Sequence, residues 1–561
     1  MTDQTATTGA EALLMALRAV GVEYLFANAG TDFPPVIEGM ARLGPQAIPQ
    51  AVTVPHETAA VGMAHGFWLV TGRAQAVMVH VNVGLANAVM GVINAASDDV
   101  PVIVLSGRTP ITETGRLGAR ATPIQVGQEM YDQTSLLRDV VKFNYELRYP
   151  EQGDSVVKRA ASLAASAPAG PVYISLPREP LSDALPDGFA PAPVAPPATP
   201  AQPDPAAIAM LAGWLAAATA PVILCQRGDP DGRLANVLSR LAGAQGIGVV
   251  EPFTIRNVLA SDDPSLLGYD PAAMAGADLI IVLDSAIPWI ELLHAPGPAP
   301  RIAHIAADPL FRRMPVRGYR SDLSIAADPV AALEALEKAV STPHPARAAT
   351  VTQKAQARRT RTAALAAGGN GTPMSPAWFS ACVSDIMDDS AVAFSELGLM
   401  AGFMTLRGPN RLFNNVHAGG LGWAFPAALG AQLADRDRLV IGCMGDGSYM
   451  FANPVACHQI AEALELPVLI IVKNNAMWNA VRRSVLRDYP DGAAARMNEV
   501  PLTSLAPLPD FAMVARASRA HAERVETGAD LPAALARAVQ VIRQERRHVL
   551  LDVVVAATDT H

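Results

Sequence analysis

At 561 residues the chain is too long for a single hydrophobic core, and about three domains are expected. Hydrophobic residues make up 50% and charged ones 17%, which points to large interiors or extensive subunit contacts, while a net charge of −9 argues against nucleic acid as a partner. Cys225, Cys382, Cys443 and Cys457 lack CxxC spacing and read as reduced core thiols.

The opening Met1-Thr-Asp-Gln-Thr5 is polar and Glu11–Leu17 is an ordinary amphipathic helix, so no secretory leader is predicted and a cytoplasmic protein is expected. The longest uncharged stretch, Ala74 to Ser97, carries His80, Asn82, Asn87 and Asn94, which are costly in lipid, so it reads as a strand then a helix, with no membrane partner. From Thr8 to Ser182, helical segments alternate with the strand-like runs Val22–Phe26, Ala76–His80, Pro101–Leu105 and Pro171–Leu176. This is the first domain, 1–183. Pro/Ala-rich residues 184–205, whose only charges are Asp187 and Asp204, form an extended linker.

A second α/β unit, 206–340, has strands at Pro221–Cys225, Leu279–Leu283 and Arg301–Ile305. It lacks GxGxxG, and Pro230 stands where a dinucleotide site would want a free helix N-terminus, so nicotinamide is not expected. Polar residues 341–372 form a second linker. The third unit, 373–561, contains buried runs at Arg438–Met444 and Leu466–Val472, a helix at Leu531–Val541 and a closing strand at His548–Val555. The fold class is α/β: three doubly wound α/β domains with parallel sheets.

The chemistry concentrates where the first run of the third unit ends, at Gly445-Asp446-Gly447-Ser448. Glycines let the backbone approach a phosphate, the following helix offers free N–H groups, and Asp446 is a hard oxygen ligand suited to Mg²⁺. The next run ends on Asn474-Asn475, and 29 positions (475 − 446) suffice for a strand-helix-strand crossover that returns Asn475 beside the same metal. Glu57, in His56-Glu57, reads on composition alone as a capping or ion-paired residue of a surface helix.

These three motifs together, Gly445–Ser448, Asn474-Asn475 and His56-Glu57, resemble the thiamine-diphosphate enzymes, in particular the group containing acetohydroxyacid synthase, pyruvate oxidase and benzoylformate decarboxylase. The resemblance implies a pyrimidine-binding first domain, a middle domain and a diphosphate-binding third domain. It also implies thiamine diphosphate and Mg²⁺ as cofactors. Asp446, Asn475 and the Met477 carbonyl would hold the metal, and Gly445, Gly447 and Ser448 would lie at the diphosphate. Glu57 would hydrogen-bond the aminopyrimidine ring and steer proton removal from the thiazolium. Leu421, within His417–Pro426, falls on or near the family's apolar wedge between the two rings; its alternative is a core leucine. The Asp-to-Asn interval is longer than the family's, so a reshaped helix start is expected over Tyr449–His458.

His80, four residues before Gly84, matches the position of an active-site histidine in benzoylformate decarboxylase, where it would move protons; a structural strand-end histidine is the alternative. Asn28-Ala29-Gly30-Thr31 resembles that enzyme's Asn-Pro-Gly-Ser, so Thr31 is either a substrate-carboxylate ligand or a helix N-cap. No convincing counterpart to its second histidine is found, and His294 is the one candidate. Gln128-Glu129 followed by Asp132-Gln133, and the later Lys142, resemble a synthase segment; a solvated helix start is the alternative. Trp478 is placed with Asn28 and Gln128 as pocket lining, or as a packing residue. Arg482, Arg483 and Arg487 would meet an anionic substrate or form a solvated face.

Flavin is not expected, because the middle domain lacks the glycine-rich segment. The resemblance implies C–C bond cleavage or formation, here non-oxidative decarboxylation of a 2-oxo acid with carboligation. The alternatives are an acetolactate-synthase-type condensation, a 2-hydroxyacyl-CoA lyase, and a non-catalytic cofactor-binding subunit. It further implies a homodimer or homotetramer with the cofactor across a dimer interface.

Overall fold

In the computed structural model the described residues are 5–414 and 416–558; the first four residues of the polar opening and the last three of the chain lie outside them. Three six-stranded sheets, parallel at every named pairing, carry the architecture. The first contains β1 (Tyr24–Ala27), β2 (Gln50–Thr53), β3 (Gln75–Val79), β4 (Val102–Arg108), β5 (Asn144–Glu146) and β6 (Val172–Pro177) in the order β2-β1-β3-β4-β6-β5. The middle sheet contains β7 (Pro221–Cys225), β8 (Gly248–Val250), β9 (Leu266–Gly268), β10 (Leu279–Leu283), β11 (Arg301–Ala306) and β12 (Leu323–Ala326), ordered β12-β11-β10-β7-β8-β9. The third contains β13 (Val392–Glu396), β14 (Leu412–Phe413), β15 (Val440–Gly445), β16 (Leu469–Asn474), β17 (His521–Val525) and β18 (Val549–Val554), ordered β14-β13-β15-β16-β18-β17.

The first and third sheets thus repeat one topology. In each, the chain leaves the first strand to one side and returns on the other, creating a switch point between β1 and β3 and again between β13 and β15. Crevices for ligands open at the carboxyl ends of such strands. Continuous apolar runs explain why these strands form: β3 and β4 are buried along their whole length, and β15 and β16 over their first residues, as strands covered on both faces require.

Packing divides the chain into two compact units, one of residues 1–199, 416–436 and 451–464, the other of 200–415, 437–450 and 465–561. In the first unit the helix Glu57–Thr71 packs against the helix Ala424–Ala434. Their approach is close enough to require glycine on both sides. A Cβ at Gly66 would stand 2.0 Å from the Ala427 carbonyl oxygen, and one at Gly430 1.9 Å from that of Met63. The Glu57 helix is thereby fixed along its length and ends at Gly72, in the left-handed region at φ 69°.

In the second unit, the expected polar connection over 341–372 is largely a helix, Pro345–Ala367. It carries no broad apolar stripe, only Ala355 and Ala366 being buried, but its alanines, arginines and glutamines are strong helix formers. After β7, the Asp229 carboxylate accepts the N–H groups of Arg233 (2.9 Å) and Leu234 (2.8 Å), filling the N-terminus of the helix Arg233–Gln245. All four cysteines are free and buried. Among the described residues no helix is long and apolar enough to cross a membrane.

Candidate active site

Two clusters of polar groups sit at the two switch points. In the first unit, β1 delivers Asn28, β3 delivers His80, and the helix after β2 begins at Glu57. The Glu57 carboxylate is buried at the first turn of its helix, where the helix dipole favours negative charge. Its Oε1 accepts from Asn28 Nδ2 at 2.9 Å, and its Oε2 from Asn87 Nδ2 at 3.1 Å. A surface capping or ion-paired role for Glu57 is therefore excluded by its placement. Gly84 lies alongside, and a Cβ there would come within 3.1 Å of Oε1, so the glycine allows this close approach of backbone to carboxylate.

His80 follows β3 directly and is the N-cap residue of the helix Val81–Ser97. Its Nδ1 lies 2.5 Å from Asp32 Oδ1, and its Nε2 lies 3.1 Å from Gln128 Nε2. The Asp32 hydrogen bond holds the imidazole pKa above its ordinary value, with smaller charge contributions from Asp32 and Glu57, while burial pulls the other way. Asn28, Glu57, His80 and Gln128, far apart in the chain, converge here. Thr31 is exposed in the turn before the helix Pro34–Arg42, whose N-cap is Phe33, so Thr31 is not that helix's cap. Leu421 lies half-buried in the bend before the helix Ala424–Ala434. The preceding Gly420 is held by Asn94, which donates to its carbonyl at 2.9 Å and accepts from its N–H at 3.2 Å.

Three of these residues escape motif reading. Asn87 and Asn94 are about two helical turns apart on a largely apolar helix, a polar line that periodicity could have exposed. Asp32 follows the Gly30-Thr31 turn but acts on His80 only because β1 and β3 are neighbours.

In the second unit, β15 pairs with β16 so that Gly445 stands opposite Lys473, which brings Asp446 beside Asn474-Asn475. Asp446 is buried at the start of the short helix Asp446–Phe451. Its Oδ1 accepts from the Gly447 N–H at 2.8 Å and its Oδ2 from the Asn475 N–H at 3.1 Å. Burial pushes its carboxyl above the ordinary range, and the backbone N–H groups of Gly447 and 475–477 oppose that shift. The Asn475 Oδ1 accepts from the Met477 N–H at 3.2 Å, while Ala476 sits in the left-handed region at φ 56°.

Asn474 has a separate duty, donating to Asp552 at 2.8 Å and accepting from the Ala476 N–H at 3.2 Å. After Asp446 the helix stops at Phe451, Asn453 adopts φ 57°, and a new helix runs Pro454–Ala463. Ser448 is buried in the first turn. The Trp478 ring lies against the Gly447 backbone, where a Cβ would be 2.1 Å from Cζ3, so one part of this ring serves packing.

Other residues singled out in the sequence lie elsewhere. Lys142 donates to the carbonyls of Leu163 (2.6 Å) and Ser166 (2.5 Å), bracing the end of the helix Gln152–Ala165. Glu129 pairs with Arg108 at 2.6 Å and with Arg120. His294 ends the short helix Glu291–His294, between β10 and β11 of the middle sheet. Arg482, Arg483 and Arg487 lie on the helix Asn479–Asp488, and Arg487 pairs with Asp488 at 2.8 Å.

The chain belongs to the thiamine pyrophosphate enzymes: the family's N-terminal TPP binding domain matches residues 7–136 and its C-terminal TPP binding domain residues 396–553. Among curated proteins it is 27% identical over 551 residues to the benzoylformate decarboxylase of Pseudomonas aeruginosa, spanning 94% of this chain and 96% of that one. It is also 24% identical over 530 residues to the acetolactate synthase large subunit of Parasynechococcus marenigrum, spanning 91% and 82%.

Among solved structures, the thiamine diphosphate-dependent 4-hydroxybenzoylformate decarboxylase of Rhodococcus jostii superposes with a TM-score of 0.77 at 24% identity, covering 99% of this chain and 100% of that one. The benzoylformate decarboxylase of Polynucleobacter necessarius gives 0.79 at 20%, covering 99% of each. At these identities the superpositions establish the shared fold.

Proposed function

We propose that this protein is a thiamine-diphosphate- and Mg²⁺-dependent enzyme that decarboxylates a 2-oxo acid without oxidation and can pass the resulting fragment to a second carbonyl. The observation that carries this reading is the Glu57 carboxylate, buried and held on both oxygens by Asn28 and Asn87. An ionised carboxylate offers about four acceptor positions. Two are used by the amides, so capacity remains for a ring nitrogen of the aminopyrimidine.

The second unit offers an oxygen set suited to Mg²⁺: the Asp446 carboxylate, the Asn475 amide oxygen and the Met477 carbonyl, with Gly445, Gly447 and Ser448 at the diphosphate. Hard oxygen donors in small number, completed by phosphate and water, are what Mg²⁺ prefers. A cation there would also offset the cost of burying Asp446. When bound, thiamine diphosphate supplies a nucleophilic carbon and a sink for the electron pair left by departing carbon dioxide.

The chain's own residues do the rest. Glu57 holds the ring and its proton. His80, kept basic by Asp32, gives and takes a proton at Nε2. Gln128, Thr31 and Trp478 are assigned to the substrate side, and Leu421 to the cofactor rings. The reading includes a cytoplasmic homodimer or homotetramer with the cofactor across the dimer interface.

A second reading, condensation of two 2-oxo acids as in acetolactate synthases, draws on Gln128, whose segment resembles theirs and whose amide reaches His80. Assays with benzoylformate and pyruvate separate the two by product, aldehyde against acetolactate. Turnover of no 2-oxo acid overturns both. Glu57→Gln is expected to abolish proton exchange at the thiazolium while cofactor binding survives, and unchanged exchange would contradict the assigned mechanism.

A further inference from the structure

The geometry points to Asp32 as a positioning residue for His80, one that fixes the imidazole's tautomer and orientation so that Nε2 is the nitrogen that gains and loses the proton. This rests on the role proposed above for His80.

Asp32 lies outside every recognised motif, in the turn between β1 and the helix Pro34–Arg42, with its carboxylate buried. Both its oxygens are committed. Oδ1 meets His80 Nδ1 at 2.5 Å, and Oδ2 accepts the Val81 N–H at 3.1 Å. Val81 is a β-branched residue at φ 31°, a conformation that costs energy and persists only where its surroundings impose it.

The slot is also closed sterically. A Cβ at Gly107 on β4 would fall 1.5 Å from Asp32 Oδ2, and one at Gly30 would fall 2.1 Å from His80 Nδ1. Residues from β1, β3 and β4 therefore clamp one carboxylate–imidazole pair. A carboxylate only accepts, so Nδ1 keeps its hydrogen whether the ring is neutral or charged. In the neutral ring Nε2 is then an acceptor, matching the Gln128 amide that donates towards it at 3.1 Å. Protonation at Nε2 requires Gln128 to present its carbonyl oxygen instead.

The charged groups acting on His80 are Asp32 and, more weakly, Glu57; both favour the imidazolium, against burial. Asp32 thus favours the proton-bearing ring, and sets which atom delivers the proton. A merely structural Asp32 would hold Val81 without moving the histidine's titration.

The test is long-range ¹H–¹⁵N correlation of histidine rings in the full-length protein from acid to alkaline pH, with His80 assigned through His80→Gln. The expected result is a neutral His80 in the Nδ1–H tautomer that titrates above the ordinary value. Asp32→Asn, which retains an acceptor for Val81, should lower that titration by about one unit or more, a tenfold change in proton affinity.

A neutral Nε2–H tautomer in the wild-type protein would overturn the proposal. So would an Asp32→Asn protein whose His80 titrates as the wild type does. The wild-type tautomer decides the matter even if the variant does not fold. No substrate enters the measurement, so a failure of the 2-oxo acid assays removes the proposed reaction while leaving this result separately readable.

Discussion

Glu57 and Asp446 are both buried carboxylates in the first turn of a helix, yet they are held by different kinds of group. The oxygens of Glu57 are held by the side-chain amides of Asn28 and Asn87. Those of Asp446 are held by backbone N–H groups of Gly447 and Asn475. The first arrangement is specified residue by residue and can be dismantled by one substitution. The second is specified by the path of the chain and survives changes of side chain. The carboxylate to which we assign a proton is thus held by replaceable partners, whereas the one we assign to a metal is fixed by the loop itself.

The largest effect is expected from Asp446→Ala, which removes both the proposed ligand and the anchor of the 475–477 loop. Loss of an outer-shell partner alone typically costs 10–100-fold in metal affinity, so a fall of roughly 100-fold or more in Mg²⁺-dependent binding of thiamine diphosphate is expected by titration calorimetry. Retained affinity would remove Asp446 from the proposed metal set.

The two units are next expected to respond to acid in opposite senses. Burial, with the nearby Arg547, pushes His548 down to about 4, and burial with Arg317 does the same for His304, both in the second unit. A depressed histidine contributes stability that is present above its unfolded pKa of about 6.5 and is lost as pH falls through the folded value, at roughly 1.4 kcal/mol per unit of difference. His80, raised in the first unit, contributes stability that is present below about 6.5 and is lost as pH climbs through its folded value. Thermal unfolding followed between pH 7 and 4 should show His548→Gln losing less stability than the wild type. Equal losses would mean that His548 does not govern the acid limb.

The smallest differences bear most directly on the comparison. Asn87→Ala leaves a buried Glu57 oxygen without its donor and should cost about 1–3 kcal/mol. Asn475→Ala leaves the N–H that holds Asp446 in place but removes the acceptor of the Met477 N–H, and should cost the cofactor-free protein less, about 0.5–1.5 kcal/mol. Equal costs by denaturant unfolding would erase the distinction drawn between the two carboxylates.

Long apolar strands were legible because burial on both faces leaves an unbroken run, as in Pro221–Cys225 and Leu279–Leu283. β2 and β5 were not, since these edge strands expose most of their residues or half-bury them and carry no such run. The helix Pro345–Ala367 reads as a linker because it has almost no buried stripe, although its composition favours a helix. At the site, Glu57, Asp446 and Asn475 announce themselves through local motifs. Asp32, Asn87 and Asn94 act on residues brought near by sheet order and helix packing; helical spacing marks the two asparagines, but no local pattern encodes the partners they meet.

The glycine contacts between the Glu57 helix and the helix Ala424–Ala434 bear on how such a chain can be recombined. Gly66 and Gly430 are 364 positions apart (430 − 66), yet each touches the other helix's backbone with no room for a side chain. A hybrid that exchanged residues 1–199 alone would set a foreign helix into that seam, and a single alanine there is a clash with main chain that no rotamer relieves. The transferable module is therefore discontinuous: 1–199 together with 416–436 and 451–464. Gene fusions and library crossovers that respect only the linear order of domains should yield insoluble protein, and those that move the three segments together should not.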